Sequence, residues 1–124
     1  MKDLESKNIK VMNEMDSNTF YLQGRALFIE KNFIGSAFSF IRSLDFLTKC
    51  ERFDRIIPIL NITIRTFHQM SKSDFIKLNS LISTKFEGKD FEKFLRDFEK
   101  GINSDSVILT KTNELRNIYT KNSV

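Results

Sequence analysis

The sequence predicts an all-α domain, a bundle of six or seven helices, and three observations carry that expectation. Apolar residues recur at steps of three and four along one stretch after another. Glycine and proline are scarce, four and one in 124 residues, whereas a many-stranded β domain needs frequent turns. Ser, Thr, Asp or Asn, whose short side chains accept hydrogen bonds from the free amides of a helix start, precede several of the periodic stretches.

The first stretch sets Leu4, Ile9, Val11, Met12 and Met15 among charges, which predicts an N-terminal helix, loosely attached, within residues 1–16. Asp16-Ser17-Asn18-Thr19 follows and predicts a fresh helix start. That second helix carries Phe20, Gly24, Ala26, Leu27 and Phe28 to about Glu30. Asn32 caps a third, with Phe33, Ala37, Phe40, Ile41, Leu44 and Leu47 at helical steps. The short break between them makes an antiparallel hairpin.

Phe53, Ile56, Ile57, Leu60, Ile64 and Phe67 share one face of the next helix, and Ile59 and Ile62 lie outside that face, so burial on more than one side is expected. Pro58 either starts or kinks this helix, and its β-branched run leaves a short strand as the alternative. Ser71-Lys72-Ser73-Asp74 matches a capping box. The helix it opens bears Phe75, Leu78, Ile82 and Phe86 and stops at Gly88. Asp90 caps a helix with Phe91, Phe94, Leu95 and Phe98, ended by Gly101, and Asp105 or Ser106 opens the last one through Ile108, Leu115, Ile118 and Tyr119. Residues 121–124 are expected to fray. All of this fits one domain over residues 1–124, with thirteen Phe and no Trp filling the core.

Composition narrows the chemistry. The single Cys50 precludes an internal disulfide, and the first residues lack the apolar run of a signal peptide, so a cytoplasmic location is expected. The longest apolar run, Ile56 to Ile64, is far short of a membrane span and contains Pro58 and Asn61; no membrane partner is expected. His68 is the only histidine, and Cys50 has no histidine near it in sequence. Asp90 and Glu92, or Asp97 and Glu99, are two residues apart and point to different sides of a helix. The four glycines are isolated from one another, so a phosphate-binding loop is missing too. Neither a catalytic residue nor a metal or cofactor site is expected.

The formal charge of +4 is unevenly spread. Between Lys49 and Lys85 stand seven basic residues and three acidic ones. Arg52, Arg55 and Arg65 are therefore candidates for a basic surface that meets an anionic partner, an acidic peptide or nucleic acid; a solvated helix face paired with Glu51 and Asp54 is the alternative. The Phe residues follow the core stripe, which speaks against stacking platforms for single strands.

The segment from Phe20 to Phe46 resembles one tetratricopeptide repeat and covers about a fifth of the chain. Phe20 takes the opening aromatic place and Gly24 the small place where two helices cross; Ala26 and Phe28 continue the first helix. Phe33 opens the second helix, Ser36 holds a small contact, Phe40 the inward aromatic, and Ser43-Leu44 the usual Ala-Leu pair. Ser thus replaces Ala twice, and the repeat-ending Pro is missing near Phe46 to Lys49. A window shifted by about 34 residues puts Pro58 where Gly24 stood, so a tandem second repeat is not evident. The resemblance implies a protein or peptide partner held in a groove lined by Tyr21, Arg25 and Ile29, joined by Arg55. The family's carboxylate-binding form uses Lys and Asn at the first two of these places, and Tyr21 and Arg25 depart from it. The expected function is an adaptor, with a small basic nucleic-acid-associated protein as the alternative. Because a lone repeat leaves faces uncovered, self-association is a further expectation.

Overall fold

A computed structural model describes residues 2–102 and 105–122, with side chains from Lys7 onward. The Leu4 side chain and residues 123–124 of the expected tail lie outside the described residues. Six α-helices follow one another: α1 (Lys2–Ile29), α2 (Phe33–Lys49), α3 (Ile56–His68), α4 (Lys72–Lys85), α5 (Phe91–Lys100) and α6 (Ser106–Asn122), with a 3₁₀ turn at Phe53–Arg55 leading into α3. The all-α expectation holds, and the stretch Ile56 to Ile64 is helix, not strand. Pro58 sits in the first turn of α3, where its missing amide hydrogen is no loss.

The expected break at residues 16–19 is not there. α1 runs straight through Asp16-Ser17-Asn18-Thr19, and two of these side chains, Ser17 and Thr19, find partners that suit a helix interior. Ser17 is buried against α2, and Thr19 donates its hydroxyl to the Met15 carbonyl one turn back, 3.1 Å away. The other predicted caps are in place. Asn32 accepts from the Gly35 amide at 3.0 Å, Ser71 and Asp74 close a reciprocal capping box, and Asp90 accepts from the Lys93 amide at 2.8 Å. Asp105 accepts from the Val107 and Ile108 amides and starts α6, which continues to Asn122.

Three helices end on charged residues in the left-handed region: Lys31 (φ 64), Glu51 (φ 59) and Glu87 (φ 56). At the first, the Asn32 amide reaches back to the Leu27 carbonyl (2.9 Å) and the Lys31 amide to Phe28 (3.0 Å). The same pair of bonds recurs at Arg52 to Leu47 and Glu51 to Thr48. This closure ordinarily uses glycine. The expected stop at Gly88 is shared, since Glu87 makes the first left-handed turn and Gly88 (φ 86) the second.

α1 and α2 form the antiparallel hairpin. They cross at Gly24, where an added Cβ would stand 2.6 Å from the Phe40 ring. Ser36 donates to the Gly24 carbonyl at 2.7 Å, and Ser43 donates to the Ser17 carbonyl at 2.8 Å while Ser17 donates to that of Ser43 at 3.0 Å. The two serines on α2 therefore bond the backbone of α1, which an alanine cannot do. Phe20 stacks on Phe46 (5.8 Å between centroids) at one end of the crossing and Phe28 meets Phe33 edge-on (5.4 Å) at the other.

α3 packs on α2, α4 on α2, and α6 on α3. A second aromatic cluster joins these helices: Phe67 of α3 lies 5.1 Å from Phe75 of α4 and 5.5 Å from Phe91 of α5, and Phe91 lies 4.8 Å from Tyr119 of α6. None of the thirteen Phe is exposed; six are buried, four of them fully. Thr63, Thr66 and Thr112 enter the core with their hydroxyls bonded to carbonyls four residues back.

Candidate groove between α1 and α3

α1 and α3 flank α2 on the same side. Asn18 and Tyr21 face Arg55 and Pro58 across a cavity of about 350 Å³ floored by Leu47 and Ile59. Farther along, Arg25, Phe28 and Ile29 face Ile62 and Arg65 across a second cavity of about 180 Å³. Residue numbers rise together on both walls, so the two helices run in the same direction, with the two cavities in line along the groove between them.

Four of the five candidate partner-binding residues, Tyr21, Arg25, Arg55 and Arg65, line this groove. Tyr21 is half-buried, its ring 6.1 Å from that of Phe40. Arg25 rests over the Tyr21 ring at 5.7 Å and Arg65 over Phe28 at 6.0 Å, so each guanidinium is positioned by a ring while its donors stay in solvent. Among the described residues no carboxylate pairs with either one. Arg65 stands in the last turn of α3, where a cation also offsets the helix dipole.

The fifth candidate, Arg52, lies elsewhere. It reaches Glu14 at 2.9 Å and Asp54 at 3.0 Å, and Glu14 also takes Arg55 at 3.1 Å. The Asp54 hydrogen bonds push Arg52 above its ordinary pKa, and the same bonds hold Asp54 below the usual carboxylate range. The continuous basic surface expected over Arg52, Arg55 and Arg65 is thus divided: the first two tie the 3₁₀ turn to α1, and Arg65 joins Arg25 instead. Glu14, forty residues away in sequence from the turn it neutralises, could not be read as their partner from local spacing.

A second cationic region escaped the sequence reading. Arg42, Lys49, Lys85 and Lys89 surround a cavity of about 340 Å³ with Asp45, Phe46 and Phe86, on the side of α2 facing α4. Arg42 lies 3.9 Å above the Phe20 ring, and Lys49 lies 5.2 Å from the Phe46 ring while also pairing with Asp45 at 3.1 Å. Lys89 pairs with Asp97 at 2.8 Å. Arg42 and Lys85 have no carboxylate partner among the described residues. The signal was present as two pairs of cation and aromatic, Arg42 with Phe46 and Lys85 with Phe86, but they belong to different helices.

No protein-family model, curated protein or solved structure matches this chain. His68 is exposed at the end of α3, and Cys50 is buried with its thiol 3.5 Å from the Leu47 carbonyl. Among the described residues no group of three or more His, Cys, Asp or Glu side chains is placed to hold a metal. No described helix is long and apolar enough to cross a membrane.

Proposed function

We propose that this protein is a non-enzymatic interaction module of tetratricopeptide-like type that receives an extended acidic peptide in the groove between α1 and α3. One observation carries the reading: Arg25 and Arg65, on neighbouring parallel helices, stand across from each other on ring supports, with apolar Phe28 and Ile62 between them and no carboxylate paired with either among the described residues. An acidic side chain of the peptide meets the two guanidiniums, and its apolar neighbours fill the space toward Tyr21 and Ile59. The close hairpin at Gly24 holds the α1 wall in place.

An array of ten-residue peptides varied in acidic and aromatic content tests this. Binding by the wild-type chain that weakens with salt, and that falls at least about tenfold in Arg65→Glu but not in Lys77→Glu, supports the reading. An array without salt-sensitive binders overturns it.

The Arg42, Lys49, Lys85 and Lys89 cleft favours a second reading, a nucleic-acid-associated protein. A single-stranded oligonucleotide titrated at two salt concentrations decides it: the affinity falls with salt and with Lys85→Glu if the cleft is used, and undetectable binding at low salt eliminates it.

A further inference from the structure

α1 keeps an apolar stripe that its own fold leaves bare. Met12, Met15, Leu22 and Ile29 are 63%, 64%, 60% and 78% exposed, although isolated exposed apolar residues, not rows of them, are the rule on a solitary domain. Thr19 and Ala26, also exposed, fill the gaps in the row. The six positions 12, 15, 19, 22, 26 and 29 alternate by three and four, an average of about 3.5 residues, which is the repeat that winds one helix around another. The opposite edge of α1 carries Ser17 and Gly24, buried against α2, so the stripe points straight away from the body. Thr19 satisfies its hydroxyl on the Met15 carbonyl of its own helix.

We infer that α1 forms a parallel two-stranded coiled coil with α1 of a second copy of this chain. The flanking residues select this occupant. In a parallel pair, Arg25 on one rim of the seam comes beside Glu30 of the partner subunit, and two-fold symmetry makes the same pair again on the other side. Asn18 comes beside Gln23 of the partner subunit, amide to amide. An antiparallel pair that overlaps the whole stripe sets Arg25 beside Asn18 and Glu30 beside Ile9, and neither charge finds its opposite. Layers of small and large residues, Thr19 over Leu22 and Ala26 over Ile29, let two helices approach closely. The seam spans only about 26 Å at 1.5 Å per residue, short for a free peptide. Here the helix is already formed on α2, so association does not bear the cost of ordering it.

Arg25 stands where groove and seam meet, and peptide and partner subunit compete for it: turned toward Glu30 of the partner subunit, it gives up the Tyr21 ring and leaves the peptide carboxylate to Arg65. The two readings share Arg25 and Ile29, which line the groove as well as the seam, and Leu22 separates them: it lies outside the groove, so its replacement is read by mass alone while peptide binding reads the groove. Sedimentation equilibrium of the full chain at tens of micromolar should give twice the 14.6 kDa of one chain. Leu22→Glu should return a single-chain mass at unchanged helix content, since Leu22 touches solvent in the protomer. Arg25→Glu and Glu30→Arg should each weaken the pair several-fold, and the two together should restore it. Ile29→Cys should form an intermolecular disulfide under mild oxidation, against a wild-type background in which Cys50 is buried. A wild-type chain that sediments at 14.6 kDa, a dimer indifferent to Leu22→Glu, or a double variant no better than its single parents overturns the inference.

Discussion

Gly24 is held to its identity by one ring. Phe40 is fully buried, so its Cε1, 2.6 Å from where a Cβ would stand, has nowhere to retreat. Gly24→Ala should therefore cost about 1–3 kcal/mol despite the better helix propensity of alanine, and Gly24→Leu more. In thermal melts that is a drop of about 4 °C for each kcal/mol; an unchanged midpoint would show that the crossing can open freely. Lys31 presents the opposite case, a side chain where none is wanted. Its left-handed backbone is strained for any L-residue, and Lys31→Gly should raise stability by about 0.5–1 kcal/mol in denaturant titrations. Gly24 was legible as a crossing in the sequence because a small residue in a helix otherwise rich in large ones has few other reasons to be there. Lys31, Glu51 and Glu87 were not, because nothing in a charged residue announces a positive φ.

At the scale of the element, helix starts were easier to read than helix ends. Asn32, Ser71, Asp90 and Asp105 all cap as expected, since the capping bond is local and demands particular side chains. The exception, Asp16-Ser17-Asn18-Thr19, shows where the rule fails: the same side chains serve a helix interior when a neighbouring helix supplies partners, as Ser43 does for Ser17. α5 is joined to the α4–α5 connection by Asp97, which receives Lys89 at 2.8 Å and Lys93 at 3.1 Å. The hydrogen bond from Lys89, then that from Lys93, holds the Asp97 carboxyl down at about 2. A depressed carboxyl contributes stability above its unfolded value near 3.8 and loses it as pH falls toward 2. An NMR titration should place the Asp97 midpoint near 2, and Lys89→Met should move it up toward 3.8. A wild-type midpoint already near 3.8 would mean the pair is not held in solution.

For the whole molecule, Phe67 is the common member of the second aromatic cluster, touching rings from α4 and α5. Phe67→Ala should cost about 3–5 kcal/mol and lower the melting of all six helices together. Separate melting of the α1–α2 hairpin would instead divide the chain into two cooperative units. The all-α class and the core stripe were readable from period, as Phe40, Leu44, Leu60, Phe75 and Phe91 all entered the core, whereas the helix number was left at six or seven because residues 16–19 read as a helix start inside what is one helix, α1. The groove was partly readable, since Tyr21, Arg25, Arg55 and Arg65 converge on it. What was lost was the neutralisation of Arg52 and Arg55 by Glu14 and the cleft around Arg42 and Lys85. Both are assembled from distant segments, and a charge seen along the chain has no visible counter-charge until helices are stacked.

The shared direction of α1 and α3 has one more effect. Both walls of the groove begin at the same end, beside the 3₁₀ turn with Asp54 and Arg55, and both finish at the other, beside Arg25 and Arg65. An antiparallel pair of walls would place one start and one finish at each mouth and make the mouths alike. Here they differ, so a ligand entering reversed is a different ligand. If the groove holds a peptide as proposed, that peptide and its retro-sequence, equal in length, composition and net charge, should bind it with different affinities, through the polarity of the backbone as much as through any side chain.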